Sequence, residues 1–501
     1  MDSNRSTAEG VQFPLVGESR SSQATGREIL AEAVADVDGE LAARIRATGD
    51  WRKRYIPRVR EAVAAGVVSS ESAVEIAKAG LRAASTRMRF VRDGHESSVP
   101  DAFNSYRESA FRTATVTGDG SGGPPRLALP YRGERLEGEA LLRQVDRWEG
   151  RGIVEPSCLQ ALAELGAHAD WLDLSDVTVV LLGAASEMGP LKELMGWGAT
   201  VIAVDLPRPS LWEHIVRTAK QGRGRLHAPV REPAGGDADA IVTAAGANLL
   251  TDAPEVRTWL QGFDGPMTIG NYVYSDGAKF VLLQAAVDAL IDDFVSQRPE
   301  TALAYLATPT DVYPVSPEIV EGARRRRSGL GPRAVRALSA GRLYADNYRA
   351  PVTDEEGTTW GISDCLVAQQ GPNYALAKLM QRWRAISARG DGRVVSANLA
   401  PATNTRSVVK NKILSAAYAG AHRFGVEIFE SDTSAALMAA LLVHDLRNPK
   451  AAAHPETYLR HPYELWLQAA AHGGILRVPY EPRTVLPLAV LLGLPRSSLR
   501  G

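Results

Sequence analysis

The segment VTVVLLGAASEMGPLKELMGWGATVIAVD (177–205) decides the fold of this chain. It opens with a continuous run of β-branched and apolar residues, which is typical of a strand buried on both faces of a parallel sheet. Small residues follow, then the helix candidate LKELMGWG (191–198), then a second buried run that ends at Asp205. A strand, a turn of small residues, a helix and a second strand predict a βαβ unit.

Further apolar runs repeat this alternation toward the C-terminus. They are ADAIVTAAG (238–246), TALAYLATPT (301–310) and GRVVSANLAP (392–401), and long amphipathic stretches lie between them. Strands that alternate with helices predict an α/β fold with a doubly wound, Rossmann-like parallel sheet. We expect this domain to cover 173–450 and to carry an insertion at 311–362.

The remaining length lies on both sides of that domain. Alanine and apolar residues recur at spacings of three and four before it, which predicts a mainly helical N-terminal domain at 26–172. The polar stretch 1–25 is predicted to be a disordered tail. Residues 451–501 form a C-terminal extension, rich in aromatic residues and proline, which either folds over the active site or docks a second subunit.

Composition excludes several classes of function. Among 501 residues, 57 Lys and Arg face 58 Asp and Glu, and a net charge of −1 argues against nucleic-acid binding. Cys158 and Cys365 are too few for a disulfide framework, and no HExxH or paired CxxC motif predicts a metal site. The apolar runs are too short to span a membrane. We therefore expect a soluble protein of the cytoplasm.

The turn after the first strand has the features of a dinucleotide-binding loop. Its small residues let the backbone approach a pyrophosphate, and a helix N-terminus offers N–H groups and a positive dipole end. An acid at the end of the second strand can bind the adenosine ribose and would repel a 2′-phosphate, so Asp205 favours NAD, whereas Arg208 keeps NADP open. The predicted cofactor-binding residues here are Gly183, Ser186, Glu187, Met188, Gly189 and Asp205.

The order of these motifs resembles the short-chain dehydrogenase/reductase family, in an enlarged and divergent form. The family's TGxxxGxG loop is matched by Gly183 and Gly189, while Glu187 stands in place of the middle glycine. The family's NAG motif, which follows its fourth strand, is matched by Ala245 and Gly246. The resemblance covers about 176–450 and implies an NAD(P)-dependent oxidoreductase.

A tyrosine and a lysine have the spacing that carbonyl reduction needs. Hydride transfer to a carbonyl requires a proton donor, and a tyrosine can serve if a nearby cation lowers its pKa. The helix candidate NYALAKLMQRWRAI (373–386) places Tyr374 and Lys378 one turn apart on the same face. By resemblance, Tyr374 is the acid/base, and Lys378 lowers its pKa and holds the nicotinamide ribose.

The resemblance assigns four further positions. The family's serine corresponds to Thr308 or Thr310 after a strand, or alternatively to Ser363 in a loop. The structural asparagine of the family's fourth helix corresponds to Asn271. The family's strand that ends in Pro-Gly and is followed by a threonine corresponds to the run that ends at Pro401. Thr405 takes the place of that threonine, at the nicotinamide carboxamide.

A competing catalytic pair, Tyr274 and Lys279, has a spacing of five. That spacing puts the two residues on different faces of a helix, so we rank this pair lower.

These observations predict hydride transfer between a nicotinamide and a carbonyl or alcohol substrate. The substrate is a small molecule or an acyl thioester, and the run RRRR (324–327) is either a contact for an anionic substrate or a solvated loop tip. Two alternatives stay open. One is a non-redox epimerase or dehydratase with tightly bound NAD, and the other is a non-catalytic dinucleotide-binding regulator or scaffold. A homo-oligomer also stays open.

Overall fold

A computed structural model describes residues 8–497, except residues 107, 122, 233–237 and 327–329. The part before the predicted sheet domain contains eight short strands and seven helices among the described residues. The strands are β1 (Gly10–Gln12), β2 (Leu15–Val16), β3 (Ser19–Arg20), β4 (Arg89–Arg92), β5 (His95–Ser98), β6 (Arg112–Thr117), β7 (Ala128–Tyr131) and β8 (Glu134–Glu137). The helices are α1 (Ser22–Val34), α2 (Gly39–Arg46), α3 (Trp51–Val67), α4 (Ser70–Arg87), α5 (Val99–Ser105), α6 (Gly138–Gly150) and α7 (Pro156–Ala167).

The central part alternates strands and helices. Its strands are β9 (Thr178–Leu182), β10 (Thr200–Val204), β11 (Arg225–Val230), β12 (Thr268–Asn271), β13 (Ala302–Ala307), β14 (Val312–Val315), β15 (Val352–Thr353), β16 (Thr359–Asp364), β17 (Val395–Leu399), β18 (Thr403–Asn404) and β19 (Phe429–Glu430). Its helices are α8 (Leu191–Gly196), α9 (Pro209–Gln221), α10 (Ala238–Ala244), α11 (Leu249–Leu260), α12 (Ala278–Gln297), α13 (Pro317–Arg325), α14 (Leu330–Leu338), α15 (Gly371–Gly390), α16 (Arg406–Lys410), α17 (Lys412–Ala421) and α18 (Ser431–Arg447). Helix α19 (Pro482–Ser497) follows, and short 3-10 helices lie at Ala169–Leu172, His422–Phe424, Pro462–Trp466 and Ile475–Arg477.

Seven strands form the central sheet, in the order β17-β13-β12-β9-β10-β11-β6. Six of them are parallel, and β6 pairs antiparallel with β11 at one edge. The α/β fold class with a largely parallel sheet is therefore confirmed. Counted along the chain from β9, the parallel strands lie in the order 6-5-4-1-2-3, which is compatible with a Rossmann-like fold. The order reverses between β9 and β12, and this is where such sheets bind ligands.

The prediction of a strand at 238–246 is wrong. Residues Ala238–Ala244 form helix α10, and the sheet instead uses β11 and the four-residue strand β12. A short apolar run is consistent with either a buried strand or a helix, so periodicity alone does not separate the two.

The segment before the sheet differs from the predicted tail and separate helical domain. Residues 10–25 are ordered, and Val11 and Phe13 are buried in the main core; residues 1–7 lie outside the described part. Helices α1, α3 and α4 pack against α15 and share one core with the sheet, while β6 is itself a sheet strand. Residues 26–172 therefore have no independent core, because their apolar helix faces are buried against the sheet layers.

The insertion and the C-terminal extension both have structure of their own. In the insertion, β14, β16 and β15 form a small antiparallel sheet beside α13 and α14. The extension runs along the outer edge of β17, where Val395 N donates to Ala453 O and Ala471 N donates to Leu399 O, each at 2.9 Å. These bonds cover a strand edge that would otherwise be open to pairing with another chain.

Candidate functional site

Tyr374 and Thr308 meet at the carboxyl end of the parallel sheet. Thr308 is the first residue after β13, and Tyr374 lies in the first turn of α15. The two hydroxyl oxygens are 2.9 Å apart, which is a hydrogen bond between residues that are 66 positions apart in sequence. Gly371, with φ of 79°, begins α15 with Pro372 directly after it, and this backbone turn orients the first helical residues toward the strand end.

The environment of Tyr374 keeps its hydroxyl protonated. Burial raises the pKa of the phenol above its usual value, and Asp311 acts in the same direction, whereas hydrogen bonds from Thr308, Thr310 and Gln370 oppose the rise. The net direction is upward, so the expectation that Lys378 lowers the pKa of this phenol is wrong: Lys378 is not among the groups that shift it. A neutral phenol at neutral pH is a proton donor rather than a base.

Lys378 lies one helical turn beyond Tyr374 and is 9% exposed. Its Nζ donates to Gln381 Oε1 at 3.0 Å and, more weakly, to Leu306 O at 3.5 Å. Burial lowers the pKa of the ammonium to about 8, although Asp311 opposes this shift. Most Lys378 side chains therefore still carry a positive charge at neutral pH, next to the helical turn that holds the phenol.

Ser363 and the pair Tyr274–Lys279 do not take the places considered for them. Ser363 is fully buried in β16, and its hydroxyl lies 3.4 Å from Cys365 Sγ, so Thr308 and not Ser363 reaches Tyr374. Tyr274 follows β12 outside any helix and is 54% exposed, so it shares no helix face with Lys279, which belongs to α12.

Asn271 does not lie on a helix, as the resemblance implied: it is the last residue of β12 and lies beside the turn after β9. Its Nδ2 donates to Gln284 Oε1 at 3.0 Å, while its buried Oδ1 has no hydrogen-bond partner within the part of the chain that the structure describes. An acceptor left in this state favours a donor from a ligand or an ordered water. Asn271 pairs in register with Leu182, so it lies directly next to Gly183.

Gly183 makes the sharp turn that the sequence predicted. Its φ is 85°, and a Cβ atom there would come within 3.0 Å of the Tyr272 backbone, so only glycine fits without strain. Two successive turns follow: Ser186 N donates a hydrogen bond to Gly183 O, and Gly189 N donates one to Ser186 O. Met188 is partly buried against the second core of the protein.

The helix after this loop differs from the predicted one. α8 has only six residues, follows Pro190, and starts where the turn N–H groups are already bonded. The expectation of free N–H groups at a helix N-terminus therefore does not hold for Ser186 and Gly189. The Ser186 and Gly189 N–H groups instead bond to carbonyl groups three residues before them, so they form two tight turns in place of a longer helix.

Asp205 follows β10 and fastens the glycine turn. Its Oδ2 accepts from Ala185 N and its Oδ1 accepts from Leu206 N, both at 2.8 Å. Burial raises the pKa of this carboxyl group. The two backbone hydrogen bonds and the positive charge of Arg208 oppose the rise. A carboxylate has about four lone-pair sites. Asp205 therefore keeps acceptor capacity for a ligand hydroxyl while it holds the loop.

Glu187 joins the loop after β9 to the segment after β17. Its carboxylate accepts from Arg406 N at 2.9 Å and lies 3.1 Å from Arg406 Nε. Thr405 is the N-cap residue of α16, and Pro401 O accepts from the Thr403 hydroxyl at 2.8 Å. The Glu187 carboxylate therefore has a cationic partner, Arg406, which the loop motif in the sequence did not predict.

Ala245 and Gly246 lie elsewhere than the resemblance implied. They follow helix α10 instead of the fourth parallel strand, and Ala245 forms an isolated bridge with Val230. Gly246 has a φ of 127°, and a Cβ there would lie 2.5 Å from Pro207 Cα. Their role in this structure is close backbone packing behind Asp205.

Sequence reasoning did not single out three side chains near Tyr374. Gln370 and Asp311 influence its pKa, and Tyr418 of α17 is close enough for its own pKa to be raised by Tyr374 in addition to the dominant effect of burial. Asp311 follows the predicted strand and Gln370 precedes the predicted helix, so the sequence could have indicated that both lie near Tyr374. Tyr418 offered no local signal, because its position depends on the packing of a later helix.

Comparisons with protein-family models, with curated proteins and with solved structures found no match. Across the described residues, no helix combines the length and apolarity needed to cross a bilayer. In the same part of the chain, no group of three or more His, Cys, Asp or Glu side chains is arranged to hold a metal ion.

Proposed function

We propose that this protein is an NAD(P)-dependent oxidoreductase that acts on a carbonyl or alcohol substrate. The observation that carries the proposal is the 2.9 Å contact between Thr308 Oγ1 and the Tyr374 hydroxyl at the carboxyl end of the sheet. Lys378 follows one turn later and is charged at neutral pH. A hydroxyl pair with an adjacent ammonium is suited to proton transfer at an oxygen atom.

The loops around the switch point suit a dinucleotide. The strand order, the Gly183 turn and the spare acceptor capacity of Asp205 support binding of an adenosine ribose and pyrophosphate there. The Asp205 carboxylate favours NAD over NADP, and Arg208 keeps NADP in consideration. When bound, the dinucleotide would supply or accept the hydride.

The protonation state of Tyr374 favours reduction. A phenol whose pKa lies above its usual value holds its proton at neutral pH and donates it as negative charge develops on the substrate oxygen. Thr308 accepts from or donates to the same hydroxyl and so fixes its direction.

A second candidate is a dinucleotide-binding protein without redox turnover, either a non-redox enzyme or a regulator. It is favoured by Glu187, because a carboxylate in the loop opposes a pyrophosphate. Arg406 offsets this charge, so we place this candidate second.

Calorimetric titration with NAD, NADH, NADP and NADPH tests the binding step. We expect one of the four to bind, with NAD(H) favoured. A folded protein that binds none of them would contradict both candidates.

Turnover is then followed as NADH oxidation with a panel of ketones, aldehydes and acyl thioesters. Tyr374→Phe should lower the rate about 10²-fold or more and leave dinucleotide affinity unchanged. The matched control is Tyr458→Phe, since Tyr458 is 77% exposed. Full activity of Tyr374→Phe would refute the assignment, and binding without any change in nicotinamide absorbance would favour the second candidate.

A further inference from the structure

A separate cleft lies between the insertion, the C-terminal extension and the turn after α17. Its volume is about 440 Å³, within the range of small-molecule sites. One wall is the turn between α6 and α7, and the opposite wall is the chain from Arg477 to Tyr480. None of the residues assigned above to the dinucleotide or to proton transfer lines it.

The charged residues that line this cleft are all arginines. They are Arg151, Arg326, Arg423 and Arg477. Two carboxylates stand behind them: Glu427 lies 2.7 Å from Arg151, and Glu155 lies 2.6 Å from Arg477. Glu149 also acts on Arg326 and Arg477, and Arg132 shares Glu427 with Arg151. Five positive and three negative charges leave a local surplus of two positive charges.

Two of these guanidinium groups, those of Arg326 and Arg423, form no ion pair with a carboxylate of the residues that the structure describes. Arg326 donates to the backbone carbonyls of Arg151 and Gly150. Burial lowers its pKa, and the neighbouring Arg477 and Arg151 lower it further, whereas Glu155 and Glu149 oppose the shift. Arg423 is exposed and makes no ion pair or hydrogen bond with the described residues. Mutual repulsion of this kind favours a bound anion.

Glycines make room for two of the arginines. A Cβ at Gly152 would come within 2.1 Å of Arg326 Nη1, and a Cβ at Gly322 would come equally close to Arg477 Nη1. Gly152 also has a φ of 61°, which favours glycine. The guanidinium ends of Arg326 and Arg477 therefore lie directly against the backbone at these two glycines.

Aromatic rings complete the cleft beside the arginines. Tyr344, Phe424 and Tyr480 line it, and their ring centroids lie 5.3–6.3 Å from one another. Tyr344 holds a φ of 49°, a left-handed conformation that is costly for a bulky residue. Strain of this kind concentrates at ligand sites. Phe424 and Tyr480 are buried and Tyr344 is half-buried, so a flat ring in a ligand would stack on Tyr344.

We propose that the cleft binds a small phosphate ester that carries a planar ring. Its doubly charged phosphate contacts Arg326 and Arg423, which gives the two positive charges a counterion, and its ring lies on the aromatic side. Guanidinium groups match phosphate oxygens in geometry and charge. The proposal does not depend on the oxidoreductase assignment.

Phenyl phosphate is the probe, with inorganic phosphate and phenol as its two halves, and calorimetry on the full chain is the assay. We expect phenyl phosphate to bind more tightly than either half, and to bind more weakly as salt is added. It should bind equally well with and without saturating NADH, which separates this site from the dinucleotide site. Absence of binding in the millimolar range would overturn the proposal.

Arg423→Gln and Arg326→Gln should each lower the affinity for phenyl phosphate roughly tenfold, because each removes a charge-assisted contact. The matched control is Arg324→Gln, since Arg324 is exposed on α13 and does not line the cleft. Arg423 is exposed and forms no ion pair or hydrogen bond with the described residues, so its variant should melt at the wild-type temperature. Unchanged affinity in Arg423→Gln, or an equal loss in Arg324→Gln, would refute the assignment of this cleft.

Discussion

Replacing Lys378 with methionine should stabilise the protein at neutral pH. The side chain is 9% exposed, and burial lowers the pKa of its ammonium from 10.5 to about 8. A shift of that size makes the charged form cost about 3 kcal/mol of folding free energy at pH 7, at about 1.4 kcal/mol per pKa unit. Methionine fills a similar volume without the charge.

The sign of the pH dependence follows from the direction of the shift. Between pH 8 and the unfolded pKa of 10.5, the unfolded chain binds more protons at Lys378 than the folded chain does. The stability of the wild type therefore rises with pH in this window, relative to the variant. Between pH 7 and pH 9 the advantage of Lys378→Met should shrink by about 1 kcal/mol.

Urea denaturation of both proteins at the two pH values measures this difference, because other titrating groups cancel in the comparison. Lys53→Met is a matched control, since the Lys53 side chain is 81% exposed and should show no such dependence. A Lys378→Met variant that is destabilised equally at both pH values would refute the reasoning. It would show that the hydrogen bonds of the ammonium outweigh the cost of burying its charge.

Three further changes probe the same region. Thr308→Val should raise the pKa of Tyr374 in an ultraviolet titration and cost about 1 kcal/mol of stability, because it removes one hydrogen bond; an unchanged titration curve would contradict the contact. Gly183→Ala should cost about 1–3 kcal/mol in urea denaturation, because alanine is strained at a φ of 85°, and should weaken dinucleotide binding in calorimetry; wild-type stability would argue against the turn. Arg384→Leu should cost about 3–5 kcal/mol, because it leaves the buried carboxylate of Asp288 without its partner at 2.7 Å; thermal melting measures the loss, and Arg82→Leu, at a surface pair, should change it little.

Local patterns were sufficient where the sequence alternates clearly. The run before Gly183 and the run before Asp205 are strands, as predicted, because residues buried on both faces of a parallel sheet must be continuously apolar. Tyr374 and Lys378 also lie one turn apart on a helix, as predicted. By contrast, 238–246 has the same apolar texture as a strand and forms α10, since short runs do not distinguish the two structures.

By itself, the sequence determined the α/β class, the turn at Gly183 and the helix of Tyr374, because each depends on residues close together in the chain. Tertiary structure alone decided that Thr308, and not Ser363, reaches Tyr374. It also decided that the N-terminal helices share the sheet's core and that distant arginines gather in one cleft. Contacts between residues far apart in sequence leave no local periodicity, so they arise only when the whole chain packs.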